Sequence, residues 1–282
     1  MKKFLLAWLV VWLMVSSVSF AAYTPSEKDT QDLTSLKTQL DTIIGDNNID
    51  LRNFYNQIVN LQADYSSNER LNYMFEDLKY HLYSDKKNKN ALSKQKGDAK
   101  ATSKDAKQEF LDKYKSWFSV DIENTLKNCT WWYKTLDDIS FAYDFPTALT
   151  IAVWYRESTC AYYLPNNWDG PFQILSKDYW TGEITQKQFI QAVVDFMEFS
   201  KNKLARYEWQ LSGELSYSNF DLTWVLNFAA LYNWWTRSWN IIVPSNYKYA
   251  LDGYWEVYSG AKKYGIFPRM LKVLEWELEN EY

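Results

Sequence analysis

The sequence predicts a mainly α-helical protein, and three observations carry that reading. Apolar residues recur at three- and four-residue spacing in stretch after stretch, the pattern that lines one face of a helix. Alternating apolar and polar residues, the mark of a half-buried strand, are scarce. No G-x-G-x-x-G or Walker sequence is present, so nothing indicates a nucleotide-binding α/β unit.

The elements follow in order. Residues 1–21 read as a secretory signal. Lys2 and Lys3 form the charged start, Phe4 to Val15 the apolar run, and Ser19 and Ala21 the small residues before cleavage. The expected location is therefore outside the cytoplasm: periplasmic, cell-wall-associated or secreted. A retained anchor is the alternative, but the apolar run is short against the roughly 20 residues a spanning helix needs. No Cys follows Ala21, which argues against a lipoprotein, and no later segment is apolar enough to span a membrane.

Residues 22–85 read as a helical bundle or hairpin. Leu33, Leu36, Leu40, Ile43 and Ile44 form one stripe. Leu51, Phe54, Tyr55, Ile58, Leu61 and Tyr65 form a second, and Leu71, Met74, Phe75, Leu78 and Leu82 a third. Gly45-Asp46-Asn47-Asn48 and Ser66-Ser67-Asn68 separate them. An ordinary core accounts for such stripes. A coiled coil, or a face that receives a protein partner, is the alternative.

Residues 86–108 carry eight Lys and few apolar residues, and predict a flexible or loosely helical Lys-rich linker. Residues 109–282 are dense in apolar and aromatic residues and long enough to bury a full core. Within them, Ala148 to Tyr155 predicts a buried helix opened by Asp144 and Pro146. Phe189, Val193, Phe196, Met197 and Leu204 predict an amphipathic helix, Leu222 to Leu231 a buried one, and Met270 to Leu278 a closing one.

The chain is acidic, with net charge −4, and loss of Lys2 and Lys3 makes it more so. An acidic exported chain is a poor nucleic-acid binder. The two cysteines, Cys129 and Cys160, predict one disulfide in an exported protein, with two buried thiols as the alternative. The single histidine, His81, has no partner spacing for a metal, and no cofactor is indicated.

Composition holds an anomaly: 15 Trp and 8 Gly in 282 residues. Gly at about 7% would give roughly 20. Trp168 opens the loop before Gly170, and Trp154 stands where close helix packing needs a small residue. We expect many Trp to be UGA codons that the source reads as Gly. A Trp-rich sugar-binding protein is the alternative, since indole faces stack on pyranose rings.

The residues that carry chemistry lie between Ile151 and Asn233. Glu157-Ser158 ends the apolar run Ile151 to Tyr155. Gly170-Pro171-Phe172-Gln173-Ile174 follows after a polar loop, and Ala229-Ala230-Leu231-Tyr232-Asn233 comes some 60 residues later. This order resembles the lytic transglycosylase and goose-type lysozyme superfamily. That family shows a helix ending in Glu-Ser, a Gly-x-x-Gly-Leu-Met-Gln-like loop, then Ala-x-Tyr-Asn-x-Gly. The resemblance covers roughly residues 121–282. It implies a lysozyme-like fold and cleavage of peptidoglycan glycan strands at the MurNAc-GlcNAc bond, without a cofactor.

By the resemblance, Glu157 is the catalytic acid. It then serves as the base that takes a proton from the C6 hydroxyl of the muramic sugar, closing a 1,6-anhydro ring. Ser158, Phe172, Gln173, Tyr232 and Asn233 would bind substrate, with Tyr232 hydrogen-bonded to Glu157. A hydrolase of inverting type would need a second carboxylate about 6.5–9.5 Å away to activate water. Asp169 and Asp178 are the candidates, with a turn-forming role the alternative for Asp169. The chain departs from the pattern in three places. The loop from Glu157 to Gln173 is a residue or two short, Asn166-Asn167 stands near its usual Ser, and Pro171-Phe172 replaces Leu-Met.

Overall fold

The computed structural model describes residues 27–45, 51–117, 126–161, 163–164, 170–174, 182–205, 211, 213–232 and 265–280. The expected leader, Asn233, Asp169, Asp178, Trp168 and Trp234 lie outside them. The described residues form ten α-helices and one two-stranded sheet, a mainly α fold. They divide into two compact units, Met1–Asn88 and Lys89–Tyr282.

The first unit holds α1 (Glu27–Gly45), α2 (Leu51–Asp64) and α3 (Glu69–Ser84); of the stripe expected on α1, Leu36 is buried and Leu33 half-buried. Phe54, Tyr55, Ile58 and Leu61 of α2 meet Leu71, Phe75, Leu78 and Leu82 of α3 in one core. Asn68 caps α3, its side-chain oxygen accepting from the Leu71 N–H at 3.1 Å. Tyr65 packs on Phe75 across the turn, ring centroids 6.4 Å apart. Met74 and Leu51 are only half-buried.

The Lys-rich stretch is a correction. It is helical throughout: α4 spans Lys86–Gln95 and α5 spans Gly97–Tyr114. From Lys89 onward it belongs to the second unit. Two of its lysines are buried. Lys96 Nζ lies 2.5 Å from Asp137 and 2.6 Å from Asp138, and Lys107 Nζ lies 2.8 Å from Glu277. Composition alone reads such a run as solvated, because the paired carboxylates come from elements far along the chain.

The second unit continues with α6 (Tyr133–Ala142), α7 (Thr147–Ser158), α8 (Gln186–Ala205), α9 (Leu222–Tyr232) and α10 (Ile266–Glu279). The single sheet pairs Tyr163–Leu164 with Gly182–Glu183, antiparallel. The central element is α7. Nine of its twelve residues are buried, Thr147 to Tyr155 without a break. A helix apolar on all sides must be enclosed on all sides. Here α10 runs along one side and α6 along another. The α10 helix also packs on α5, so part of the stretch expected as a linker joins the packed core of this unit.

The start of α7 differs from the expected cap. Pro146 occupies the capping position and makes no side-chain bond. Asp144 turns the chain at φ 53° and accepts the Tyr217 N–H at 3.2 Å. Aspartate tolerates this left-handed conformation better than most residues. Trp154, where a small residue is expected, is enclosed in this core. Its indole is 1% exposed and packs 4.8 Å from the Phe189 ring. Phe189, Val193, Phe196 and Met197 of α8 fill the same core.

Candidate active site

The site forms where α7 ends. Nine buried residues carry the helix through the core, and only its last turn, Arg156 to Ser158, reaches partial exposure. Glu157 is therefore held by a rigid element at the edge of the core, with its side chain 20% exposed. Burial pushes its carboxyl above the ordinary carboxylate range, against the opposing charges of Arg156 and Arg269. The Arg156 guanidinium lies 3.7 Å from Glu157 Oε1, too long for a hydrogen bond. A carboxyl placed this way retains its proton nearer to neutral pH, which is what protonation of a glycosidic oxygen requires.

Three devices fix the end of the helix. The first is the C-terminal turn: Thr159 adopts φ 55° and its N–H donates to the Tyr155 carbonyl at 2.7 Å. Cys160 follows at φ 53°, so two consecutive non-glycine residues are left-handed. Such backbone persists only where the surroundings hold it, and it concentrates at functional sites. The second is the Cys129–Cys160 disulfide, expected from the sequence and present. Both cysteines are buried. The third is Ser158, whose Oγ donates toward the Trp154 carbonyl at 3.1 Å and the Pro171 carbonyl at 3.0 Å.

That last contact brings the second motif to the first. Gly170 (φ 71°) and Gln173 (φ 52°) bend the segment 170–174 into a tight turn. Gln173 Nε2 donates to the Gly170 carbonyl at 2.7 Å, so the amide braces its own loop. Phe172 points into the core, 1% exposed and stacked on Phe196 at 4.6 Å. Its role here is to anchor the loop rather than to offer a face to ligand.

The third motif closes the arrangement. Tyr232, the last residue of α9, donates its hydroxyl to the Phe172 carbonyl, not to Glu157 as the resemblance implied. Its ring packs among Phe196, Phe199 and Phe228. Burial and the nearby Glu157 charge push its phenol well above the ordinary value, so it stays a neutral donor. Glu157, Ser158, Phe172, Gln173 and Tyr232 thus meet in one place from three separate stretches of sequence. Asn233, Asp169 and Asp178 lie outside the described residues.

Sequence reasoning missed Arg269. The predicted closing helix began at Met270, whereas α10 begins at Ile266 and carries Arg269 in its first turn. Arg269 is 6% exposed. Its guanidinium sits 5.3 Å from the Tyr155 ring centroid and donates from Nη1 to the Gly265 carbonyl at 3.1 Å. One signal was available: a lone cation inside the apolar run Ile266 to Leu271.

Among the described residues no cluster of His, Cys, Asp and Glu could hold a metal ion, and no helix is long and apolar enough to cross a membrane. The disulfide gives the site a stability test. Replacing both Cys129 and Cys160 by Ser should lower unfolding free energy by about 2–4 kcal/mol, read from denaturant midpoints. An unchanged midpoint would mean that the bridge does not constrain the chain. Compared with known proteins, the chain matches no family model, no curated protein and no solved structure.

Proposed function

We propose that the protein is an exported enzyme that cleaves peptidoglycan glycan strands as a lytic transglycosylase. The observation that carries this reading is the placement of Glu157. A single carboxyl, its proton affinity raised by burial, stands at the rigid end of a core helix. The loop 170–174 and Tyr232 adjoin it. In the proposed reaction Glu157 protonates the glycosidic oxygen as the bond to the muramic C1 breaks. The resulting carboxylate takes the proton of the C6 hydroxyl, whose oxygen closes onto C1. The proton balance is complete at one residue, so no water and no second carboxylate are consumed. A goose-type hydrolase would instead need Asp169 or Asp178 to activate water.

Loss of turbidity of purified peptidoglycan on addition of the mature chain tests the reading. Binding without solubilisation would instead mark an inactive wall-binding protein on the same scaffold.

The tryptophan excess belongs to the same reading, because the family pattern has Gly where several Trp stand. The indole Nε1 atoms of Trp154 and Trp224 are buried without an acceptor, an arrangement that costs free energy. Against a uniform recoding, no described Trp occupies a left-handed conformation that only Gly would favour. We expect a mixture: UGA read as Gly at some positions, Trp168 and Trp234 first, and true UGG at others. The coding triplets decide it, and UGG at both of those positions would overturn the expectation.

A further inference from the structure

We infer that closing the Cys129–Cys160 bridge is the step that assembles the candidate site, a redox-operated latch on the end of α7. In the dithiol chain the turn after α7 relaxes, and the contact between Ser158 and the segment 170–174 is lost with it. What this means for cleavage rests on the proposed reaction.

Four non-glycine residues among those described have left-handed backbone: Asp144, Thr159, Cys160 and Gln173. That conformation is costly for an L-residue and persists only where something holds it. In each case the residue's own side chain makes the holding bond. Asp144 Oδ1 accepts the Tyr217 N–H at 3.2 Å. Thr159 Oγ1 donates to the Ser158 carbonyl at 2.6 Å. Gln173 Nε2 donates to the Gly170 carbonyl at 2.7 Å. At Cys160 the disulfide takes that place.

The far end of the bridge is fixed to the core without help from the turn. Cys129 is 0% exposed and lies in the short 3₁₀ turn Lys127–Thr130. Thr130 Oγ1 closes that turn on the Lys127 carbonyl at 2.7 Å. Trp132, just beyond it, packs 4.4 Å from the Phe189 ring of α8. On the other side, the Thr159 N–H donates to the Tyr155 carbonyl at 2.7 Å and the Ala161 N–H to the Ser158 carbonyl at 2.9 Å. Those two bonds bracket Ser158, whose Oγ reaches the Pro171 carbonyl at 3.0 Å. A turn that relaxes therefore moves the residue that ties α7 to the segment 170–174.

Closure is a thiol–disulfide exchange. The Cys129 and Cys160 thiols join through their sulfurs, and their two protons and two electrons pass to a disulfide donor, which leaves as two thiols. Both sulfurs are buried once the bridge is closed, so a reducing thiolate reaches them slowly. A chain made in a reducing compartment and moved to an oxidising one gains its site after transfer.

Amide hydrogen exchange in the full chain tests the latch. Cys129→Ser/Cys160→Ser and Cys129→Ser/Cys160→Gly both lack the bridge, but glycine adopts left-handed backbone freely. Protection of the Thr159, Ala161 and Gln173 N–H groups should fall about tenfold in the Ser variant and return toward that of the oxidised wild type in the Gly variant. Peptidoglycan solubilisation should fall and recover in the same order. Equal protection at these amides in the oxidised wild type and a folded Ser variant overturns the inference. So does equal loss in the Ser and Gly variants, which would make the bridge a constraint on the unfolded chain alone. If neither open variant folds, Thr159→Gly in the oxidised chain decides. Relief of the adjoining left-handed residue should make the bridge about tenfold harder to open against glutathione, and an unchanged equilibrium overturns the latch. The expected exchange pattern in a protein that cleaves nothing would keep the latch and remove the proposed function. Cleavage by the oxidised chain with no change in exchange across the variants would do the reverse.

Discussion

If the proposed reaction is right, Glu157→Gln should abolish strand cleavage while leaving the fold in place. The amide fills the same volume at the end of α7 but has no acidic proton to give and no carboxylate to receive one. Loss of a positioned general acid and base costs about 10²–10⁴-fold in rate, and here both roles fall on one residue, so the expected loss lies at the upper end or beyond. Rate of solubilisation of purified peptidoglycan measures it. A variant that retains wild-type turnover would remove Glu157 from the chemistry.

The same substitution should stabilise the protein, and the sign can be worked out. The folded state holds the Glu157 carboxyl above its unfolded value, chiefly through burial. The folded protein therefore binds the proton more tightly than the unfolded chain does. Stability falls as pH rises through the window between those two values and stays lower above it. Glu157→Gln removes that dependence. Its melting temperature should exceed that of the wild type at neutral pH, and the difference should vanish below the ordinary Glu range. Under the proposed reaction this would be the usual exchange of stability for activity.

The second large effect lies away from the site. Lys96→Met should destabilise the second unit by about 3–5 kcal/mol, because it leaves two buried carboxylates without their cation. Lys96, Asp137 and Asp138 are each 5% exposed or less. Asp137 also accepts from Thr147 Oγ1 at 2.8 Å and from the Tyr217 hydroxyl at 3.0 Å. The network thereby joins the segment before α5, the helix α6, the start of α7 and the turn before α9. Burial works against both members of the Lys96–Asp137 pair. Their mutual attraction outweighs it, holding Lys96 above and Asp137 below their ordinary values. For Asp138 burial prevails over Lys96, and its carboxyl is raised. The Asp137 contribution is present above the unfolded aspartate range and is lost as pH falls through its folded value. The Lys96 contribution is lost at the opposite, alkaline end. Denaturant midpoints at neutral pH measure the variant. A shift under about 1 kcal/mol, the scale of an exposed pair, would mean that water reaches the cluster.

Much of this architecture is legible in the sequence because it rests on local periodicity. The stripes of α2 and α3 and the run Phe189, Val193, Phe196 and Met197 of α8 are buried as their spacing predicts. So is α7, whose apolar residues surround the whole helix. What escapes is what depends on distant partners. Lys96 pairs with a carboxylate 41 residues away, and Lys107 with Glu277 of α10. Nothing local separates those two lysines from the six others in the same stretch. At the candidate site, the grouping of Glu157, Ser158, Phe172, Gln173 and Tyr232 is expected from the motifs, but their bonding is not. Tyr232 meets Phe172, 60 residues earlier, through a backbone carbonyl, and a backbone acceptor leaves no trace in side-chain identity. Arg269 escaped because a single cation in an amphipathic pattern reads as the polar face of its helix.

The most direct test of the central claim is the mass of the soluble products released from purified peptidoglycan by the mature chain, with the source's own amino acids at the suspect Trp positions. The proposed single-carboxyl reaction predicts fragments that end in 1,6-anhydro muramic acid, lighter by one water than hydrolytic fragments. Fragments with reducing ends would contradict it, and would shift the chemistry to a water activated by Asp169 or Asp178.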